Sequence, residues 1–104
     1  MSVAFVYVTA ATPEEAAAIG RDCVGERLAA CANVLPGITS IYRWQGKVEE
    51  ATESALILKT KVELIDALTA RIKAIHSYEC PCVVALPVAG GNAGFLDWVR
   101  QETA

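Results

Sequence analysis

CANVLPGITSIYRW-QG-KVEEATESALILKT, residues 31–60, consists of two long extended runs with only Gln45-Gly46 between them. Val34, Ile38, Tyr42 and Trp44 fall on one parity, with Leu35 and Ile41 on the other, which is the alternation of a strand. So tight a connection means an antiparallel hairpin. Each arm reads as roughly twice the usual five or six residues of a strand. An arm of that length needs partners along all of it, and the rest of the chain determines how much partnering is on offer.

Upstream, Val3 to Thr9 is a β-branched and aromatic run that reads as a buried strand. Thr12-Pro13-Glu14-Glu15 then opens a helix. Thr12 caps, Pro13 suits the first helical position, and Glu15 completes a capping box. Ala16, Ile19, Cys23, Val24 and Leu28 recur at three- and four-residue steps, one apolar face. Gly20 and Gly25 weaken this helix, and close packing on a sheet is the expected reason. Downstream, Thr60-Lys61-Val62-Glu63 repeats the capping-box pattern, and Leu64, Ile65, Leu68, Ile72 and Ile75 form the stripe of a second helix. A fourth strand runs from about Cys82 to Val88. Gly90-Gly91 then breaks the chain, and Asn92 caps a last helix through Phe95, Trp98 and Val99.

The order is β-α-β-β-α-β plus a C-terminal helix, an α+β chain with the ferredoxin-like arrangement in one domain, residues 1–104. Proline orders the sheet. Pro36 falls in the second run and Pro81 and Pro87 near the fourth, while the first and third carry none. Proline cannot donate to a ladder and is confined to edges and bulges. Strands two and four therefore lie outside, giving an antiparallel sheet of order 4-1-3-2. The first and fourth strands are too short to cover the long β2–β3 hairpin. Much of it would overhang with open edges, and pairing with a neighbouring subunit is the simplest remedy.

Composition narrows the function. The apolar fraction is 54%, but 18 of those residues are alanine, so the bulky core is ordinary. A net charge of −3 argues against a nucleic-acid or anionic-membrane partner, which would call for a basic face. Neither a signal-peptide pattern nor an apolar run of about 18 residues is visible, so a cytoplasmic location is expected. Cys23, Cys31, Cys80 and Cys82 are then expected as thiols, with Cys23 and Cys31 buried.

Candidate chemistry is sparse. His76 is the only histidine. Near a helix end it suits a structural role; with Cys80 and Cys82 close by, it would alternatively serve a metal, since imidazole and thiolate suit copper and zinc. Cys80 and Cys82, two apart in an extended segment, would point to one face. Cys31 reads as a small buried hydrophobe or a reactive thiol lacking a base. Glu49, Glu50 and Glu53 read as a solvated or gatekeeping face of the hairpin, with a metal-binding face as the alternative. Lys59, close to the start of the second helix, is a candidate anion holder. No serine sits in a nucleophile context, and the first-strand turn lacks the catalytic arginine of an acylphosphatase, so no enzyme is expected. The third strand, Ala55-Leu56-Ile57-Leu58, offers no aromatic for base stacking, unlike RNA-recognition domains of this topology.

Several stretches resemble the CutA family of divalent-ion tolerance proteins: residues 27–34, from Arg27 to Val34; residues 36–47, from Pro36 to Lys47; Ile57-Leu58-Lys59-Thr60; Tyr78 in its His-x-Tyr-Glu context; Ala85-Leu86-Pro87-Val88; and Leu96-Asp97-Trp98. The resemblance implies a homotrimer built on the long hairpins, with no established reaction and a link to tolerance of copper and other divalent cations. It also implies likeness to the trimeric PII signalling proteins, which bind small ligands between subunits. Tyr42, Trp44, Lys59, His76 and Tyr78 would then lie near such a cleft. No cofactor is obligatory; copper or another divalent cation is the ion implied, with a scaffolding trimer of indirect ion phenotype as the alternative. Two positions depart from the family pattern: Ser77 replaces a proline and Cys82 a glutamate. Of the copper ligands assigned in some members, only His76 carries over, since Thr9, Ala10 and Ile75 occupy the other positions.

Overall fold

In the computed structural model, which describes residues 2–104, the chain runs β1 (Val3–Ala10), α1 (Pro13–Gly25), β2 (Cys31–Trp44), β3 (Lys47–Lys61), α2 (Ile65–Ile75), β4 (Val83–Pro87) and α3 (Ala93–Glu102). The four strands form one antiparallel sheet in the order β2-β3-β1-β4. The expected order and element sequence are both observed. Gln45 and Gly46 turn the hairpin with φ of 50° and 80°, the pair of positive values that a two-residue type I′ turn requires.

One face of the sheet is covered by α1 and α2. Val6, Val8, Leu56 and Leu58 project there against Ile19, Cys23, Leu68 and Ile72, all essentially inaccessible. A bidentate pair, Arg71 Nε and Nη2 each 2.7 Å from Asp22 Oδ1 and Oδ2, clamps the two helices to each other. Gly20 packs as expected, since a Cβ there would stand 3.1 Å from the Ala32 Cβ. Gly25 does not: open space surrounds it, and it merely ends α1. Beyond it Arg27 takes the left-handed conformation, φ 58°. Its guanidinium donates to the carbonyls of Gln101, Glu102 and Thr103, capping α3 from the far end of the chain.

Three local expectations change. Thr60 does not cap a helix: β3 runs on through Lys61, and the buried Thr60 hydroxyl donates to Leu28 O at 2.7 Å. A single 3-10 turn, Val62–Leu64, leads into α2 instead. The fourth strand starts at Val83, so Pro81 and Cys82 precede it. Finally, the parity of β2 changes at a bulge between Leu35 and Ile38, where Gly37 adopts φ 72°. An extra residue in one strand inverts the facing of everything beyond it. Val34, opposite Leu56, therefore faces the helices, whereas Ile38, Tyr42 and Trp44 share the opposite face with Leu35.

That opposite face is largely open. Phe5 and Tyr7 pair across to Leu86 and Val84, which are 53% and 52% exposed. Only α3 lies over one end, where Val99 packs with Val3 and Ala30. β1 covers β3 from Ser54 to Lys61 only, so Lys47 to Glu53 pair with β2 alone. The hairpin overhangs as anticipated, and the molecule extends to 44 Å along its length against 25 and 22 Å across.

Cys23 is fully buried in the core, whereas Cys31 is only half-buried, which corrects the expectation for it. Burial, reinforced by nearby Asp22 and opposed by Arg71, pushes the Cys23 thiol up to about 11. An unfolded thiol loses its proton near 8.5, so above that pH unfolding releases a proton and the native state loses stability until pH reaches about 11. Cys23→Ala is expected to flatten that part of the pH–stability curve, as denaturant melts between pH 8 and 11 would measure.

Candidate functional site

Three chain segments meet beside the overhanging ribbon: the end of β1, the first turn of α1, and residues 76–82 after α2. The N-terminus of α1 starts the junction. Thr12 Oγ1 accepts from Glu15 N at 3.1 Å, as its cap position predicts. The Glu15 carboxylate reaches past Thr12 to Ala11 N at 3.2 Å, and its second oxygen accepts from Ser77 N at 2.8 Å. Although partial burial opposes it, these bonds to Ser77 and Ala11 hold the Glu15 carboxyl below its ordinary value. Glu15 thus ties the segment after α2 to the start of α1.

His76 ends α2, donating its own N–H to Ile72 O at 2.9 Å. Its side chain is fully buried. Nδ1 lies 3.0 Å from Tyr78 N, and an amide N–H can only donate, so Nδ1 is the acceptor. The ring proton therefore sits on Nε2, which donates to Thr9 O at 2.8 Å. Both nitrogens are engaged by backbone, and neither is left for a ligand. The Tyr78 ring packs against the imidazole at 4.7 Å between centroids, and its hydroxyl donates to Glu53 Oε2 at 2.6 Å. Burial first, then the Glu53 bond and charge, raise the Tyr78 phenol above its ordinary value.

A groove of about 1150 Å³ opens over this junction. Tyr42 and Trp44 wall it from β2, Ala51 to Glu53 from β3, and Tyr78, Glu79, Cys80 and Cys82 from the far side. Tyr42, Trp44 and Tyr78 line one groove within a single chain, whereas the resemblance implies a cleft between subunits. Lys59 does not join them. It sits on the open sheet face, its Nζ 5.4 Å from the Phe5 ring centroid and 5.5 Å from that of Phe95. Cys80 is exposed and Cys82 half-buried on the groove wall. Burial and the Glu53 charge raise the Cys82 thiol, with a Thr9 hydrogen bond acting against them.

The trio His76, Cys80 and Cys82 is not gathered as a metal site, because His76 points into the protein and is already bonded twice. Among the described residues no group of three or more His, Cys, Asp or Glu side chains is placed to hold a metal ion. Glu53 and Glu15, by contrast, were not singled out by sequence reasoning. The one read as a solvated ribbon residue, the other as a helix cap. Their partners lie 25 and 62 residues away, beyond any local spacing.

The CutA1 divalent ion tolerance protein model matches residues 4–102, which spans every element from β1 to α3. The chain belongs to that family. Among solved structures, the CutA1 divalent cation tolerance protein of Thermus thermophilus superposes with a TM-score of 0.96 at 47% identity, covering 98% of this chain and 99% of that one. A CutA described as periplasmic, from Archaeoglobus fulgidus, gives 0.93 at 42% identity over 96% and 97% of the two chains. The chloroplastic CutA 1 of rice is 46% identical over 98 residues, 94% of this chain but 55% of that protein. This CutA chain thus spans about half the length of some curated relatives and, for Thermus thermophilus, 95% of the protein. The relatives from Thermus thermophilus and Archaeoglobus fulgidus are described as divalent-cation tolerance proteins. No helix among the described residues is long and apolar enough to cross a membrane.

Proposed function

We propose that this CutA chain serves divalent-ion tolerance in the cytoplasm as a homotrimer that works by binding, with no reaction of its own. The observation that carries this reading is the overhanging hairpin together with the apolar face left open on the sheet. Monomeric proteins rarely keep so long an open edge or so contiguous an apolar patch. Catalysis finds little support: the only imidazole is bonded at both nitrogens and the thiol of Cys23 is buried and hard to ionise. Binding, in contrast, has a large groove at the foot of the ribbon.

For a metal ion, the donors that remain are the thiols of Cys80 and Cys82, which favour Cu(I) and Zn(II) over oxygen-preferring ions. A small-molecule ligand would use Tyr42, Trp44 and Tyr78. Within one chain Lys59 lies apart from that groove, near the Phe5 and Phe95 rings, and would reach a ligand only across a subunit boundary. Unpaired thiols, including the exposed Cys80, suit a reducing compartment. Sedimentation velocity at micromolar concentration is expected to give a single trimeric boundary. A compact monomer, with unfolding independent of concentration, would overturn the assembly.

A further inference from the structure

The junction at the foot of the ribbon is organised by a single ring proton, and a second arrangement lies within reach of it. His76 holds two backbone groups at once, Nε2 donating to Thr9 O at 2.8 Å and Nδ1 accepting from Tyr78 N at 3.0 Å. Only the neutral ring can do both. A proton added at Nδ1 sets two donors against each other across 3.0 Å, so the Tyr78 amide has to withdraw. An acceptor for the new proton is already in place, since Glu15 Oε2 lies 3.8 Å from Nδ1. That oxygen accepts from Ser77 N at 2.8 Å and, as a carboxylate oxygen, has capacity for a further bond. An approach of about 1 Å would make it a charge-assisted one.

Imidazole is the side chain whose ordinary charge change falls between pH 5 and 8, and its neighbours here do not change with it. From α1, the Glu15 carboxyl is held below its ordinary value and stays ionised, while Glu14 is exposed. From the segment after α2, the Tyr78 phenol and the Cys82 thiol are both raised and stay protonated. Cys82 bonds to the Thr9 side chain, so β1 offers the ring only a carbonyl. Lys73 in the last turn of α2 and Glu79 beyond the ring are exposed. From β3, Glu53 reaches the far end of Tyr78 and accepts its hydroxyl at 2.6 Å. Tyr78 is therefore the mechanical link, with its amide and ring on His76 and its hydroxyl on the ribbon. We infer that the junction is an acid-released latch, in which a second proton on His76 exchanges the Tyr78 amide for the Glu15 carboxylate and frees Tyr78 from the ribbon. Two packings of one connection then differ by a single proton. The latch lies within one chain and operates without a metal ion or a ligand in the groove.

The test uses the full chain in its solution assembly, labelled with nitrogen-15 and carried from pH 8 to pH 5 in chelator. The imidazole nitrogen shifts report when Nδ1 gains its proton, and amide exchange, corrected for the intrinsic effect of pH, reports the Tyr78 bond. Tyr78 protection is expected to fall at least about tenfold over the interval in which Nδ1 is protonated. The amides of Leu56 and Leu58, in the core, should stay protected and so exclude global unfolding. Glu15→Gln keeps an acceptor for Ser77 N without the charge, and is expected to move both changes together to lower pH. Glu53→Gln still accepts the Tyr78 hydroxyl and should leave the interval where it is. His76→Gln can donate to Thr9 O but cannot titrate, so its Tyr78 protection should be flat across the range. A ring that stays singly protonated to pH 5, or a Tyr78 amide equally protected beside a doubly protonated ring, would overturn the latch. So would a His76→Gln protein that loses Tyr78 protection over the same interval. Should that variant not fold, an interval unmoved by Glu15→Gln overturns it instead.

Discussion

Replacing His76 with alanine is expected to destabilise the metal-free protein by about 3 kcal/mol. The imidazole is fully buried, and its removal strands two backbone groups, the Thr9 carbonyl and the Tyr78 amide. It also takes away the surface against which the Tyr78 ring packs. For a domain of this size such a loss would lower the melting temperature by roughly 12–20 °C. His76→Gln, whose amide can still donate toward Thr9 O, is expected to recover part of the loss. Thermal melts in chelator at one fixed protein concentration would measure both. A metal ligand would behave in the opposite way, with an unchanged melt in chelator and a loss of affinity on titration. Cys80→Ala supplies that comparison, since Cys80 is exposed and its removal should leave the melt within about 0.5 kcal/mol of the parent while lowering Cu(I) affinity. A metal-free His76→Ala protein as stable as the parent would sink the structural role assigned to the ring.

This result bears on what could be read from residues alone. The hairpin, its turn, the order of strands and the overhang all follow from local signals, namely alternation, a Gln-Gly turn and the placement of prolines, and each appears in the structure. The facing of β2 did not follow. Pro36-Gly37 announces an irregularity, but whether it inserts a residue depends on how β3 pairs with it, and the bulge inverts the side on which Tyr42 and Trp44 emerge relative to Val34. Thr60 was misread for a related reason. Its capping pattern is genuine locally, yet the Leu28 carbonyl, brought beside it by the fold, holds the hydroxyl more effectively than a helix start would.

The candidate site was legible by residue type and not by connection. His76, Tyr78, Cys80 and Cys82 were picked out as titratable or metal-binding residues clustered in sequence, but side-chain direction divides them. His76 turns inward to the end of β1 while Cys80 and Cys82 remain on the groove wall. Lys59 was placed with the aromatics by family resemblance; it shares their face of the sheet but lies at the far end of β3, between Phe5 and Phe95. Glu53, the residue that ties Tyr78 to the ribbon, looked no different from Glu49 or Glu50, because only the return of the chain after α2 brings the phenol within reach.

Val84→Lys is expected to convert the protein to a folded monomer. In the single chain Val84 is 52% exposed on β4, so a lysine there can extend its ammonium into water at little cost. Its cross-strand partner Tyr7, with Phe5, Ile57 and Leu86, belongs to the same open apolar face. If three such faces meet about an axis, each assembly must bury three ammonium groups without partners. The effective penalty for one is several kcal/mol, so three weaken the trimer by about a millionfold in its equilibrium constant. Sedimentation at micromolar concentration should then show one subunit, with an unaltered far-ultraviolet circular dichroism spectrum. The melt should become lower and independent of concentration, since stability drawn from association follows mass action. Ala18→Lys, on the exposed side of α1 away from this face, controls for the added charge and should leave the assembly unchanged. A Val84→Lys protein that still sediments as a trimer would show that the open face is not the one the subunits share, and the ribbon edges alone would have to account for assembly.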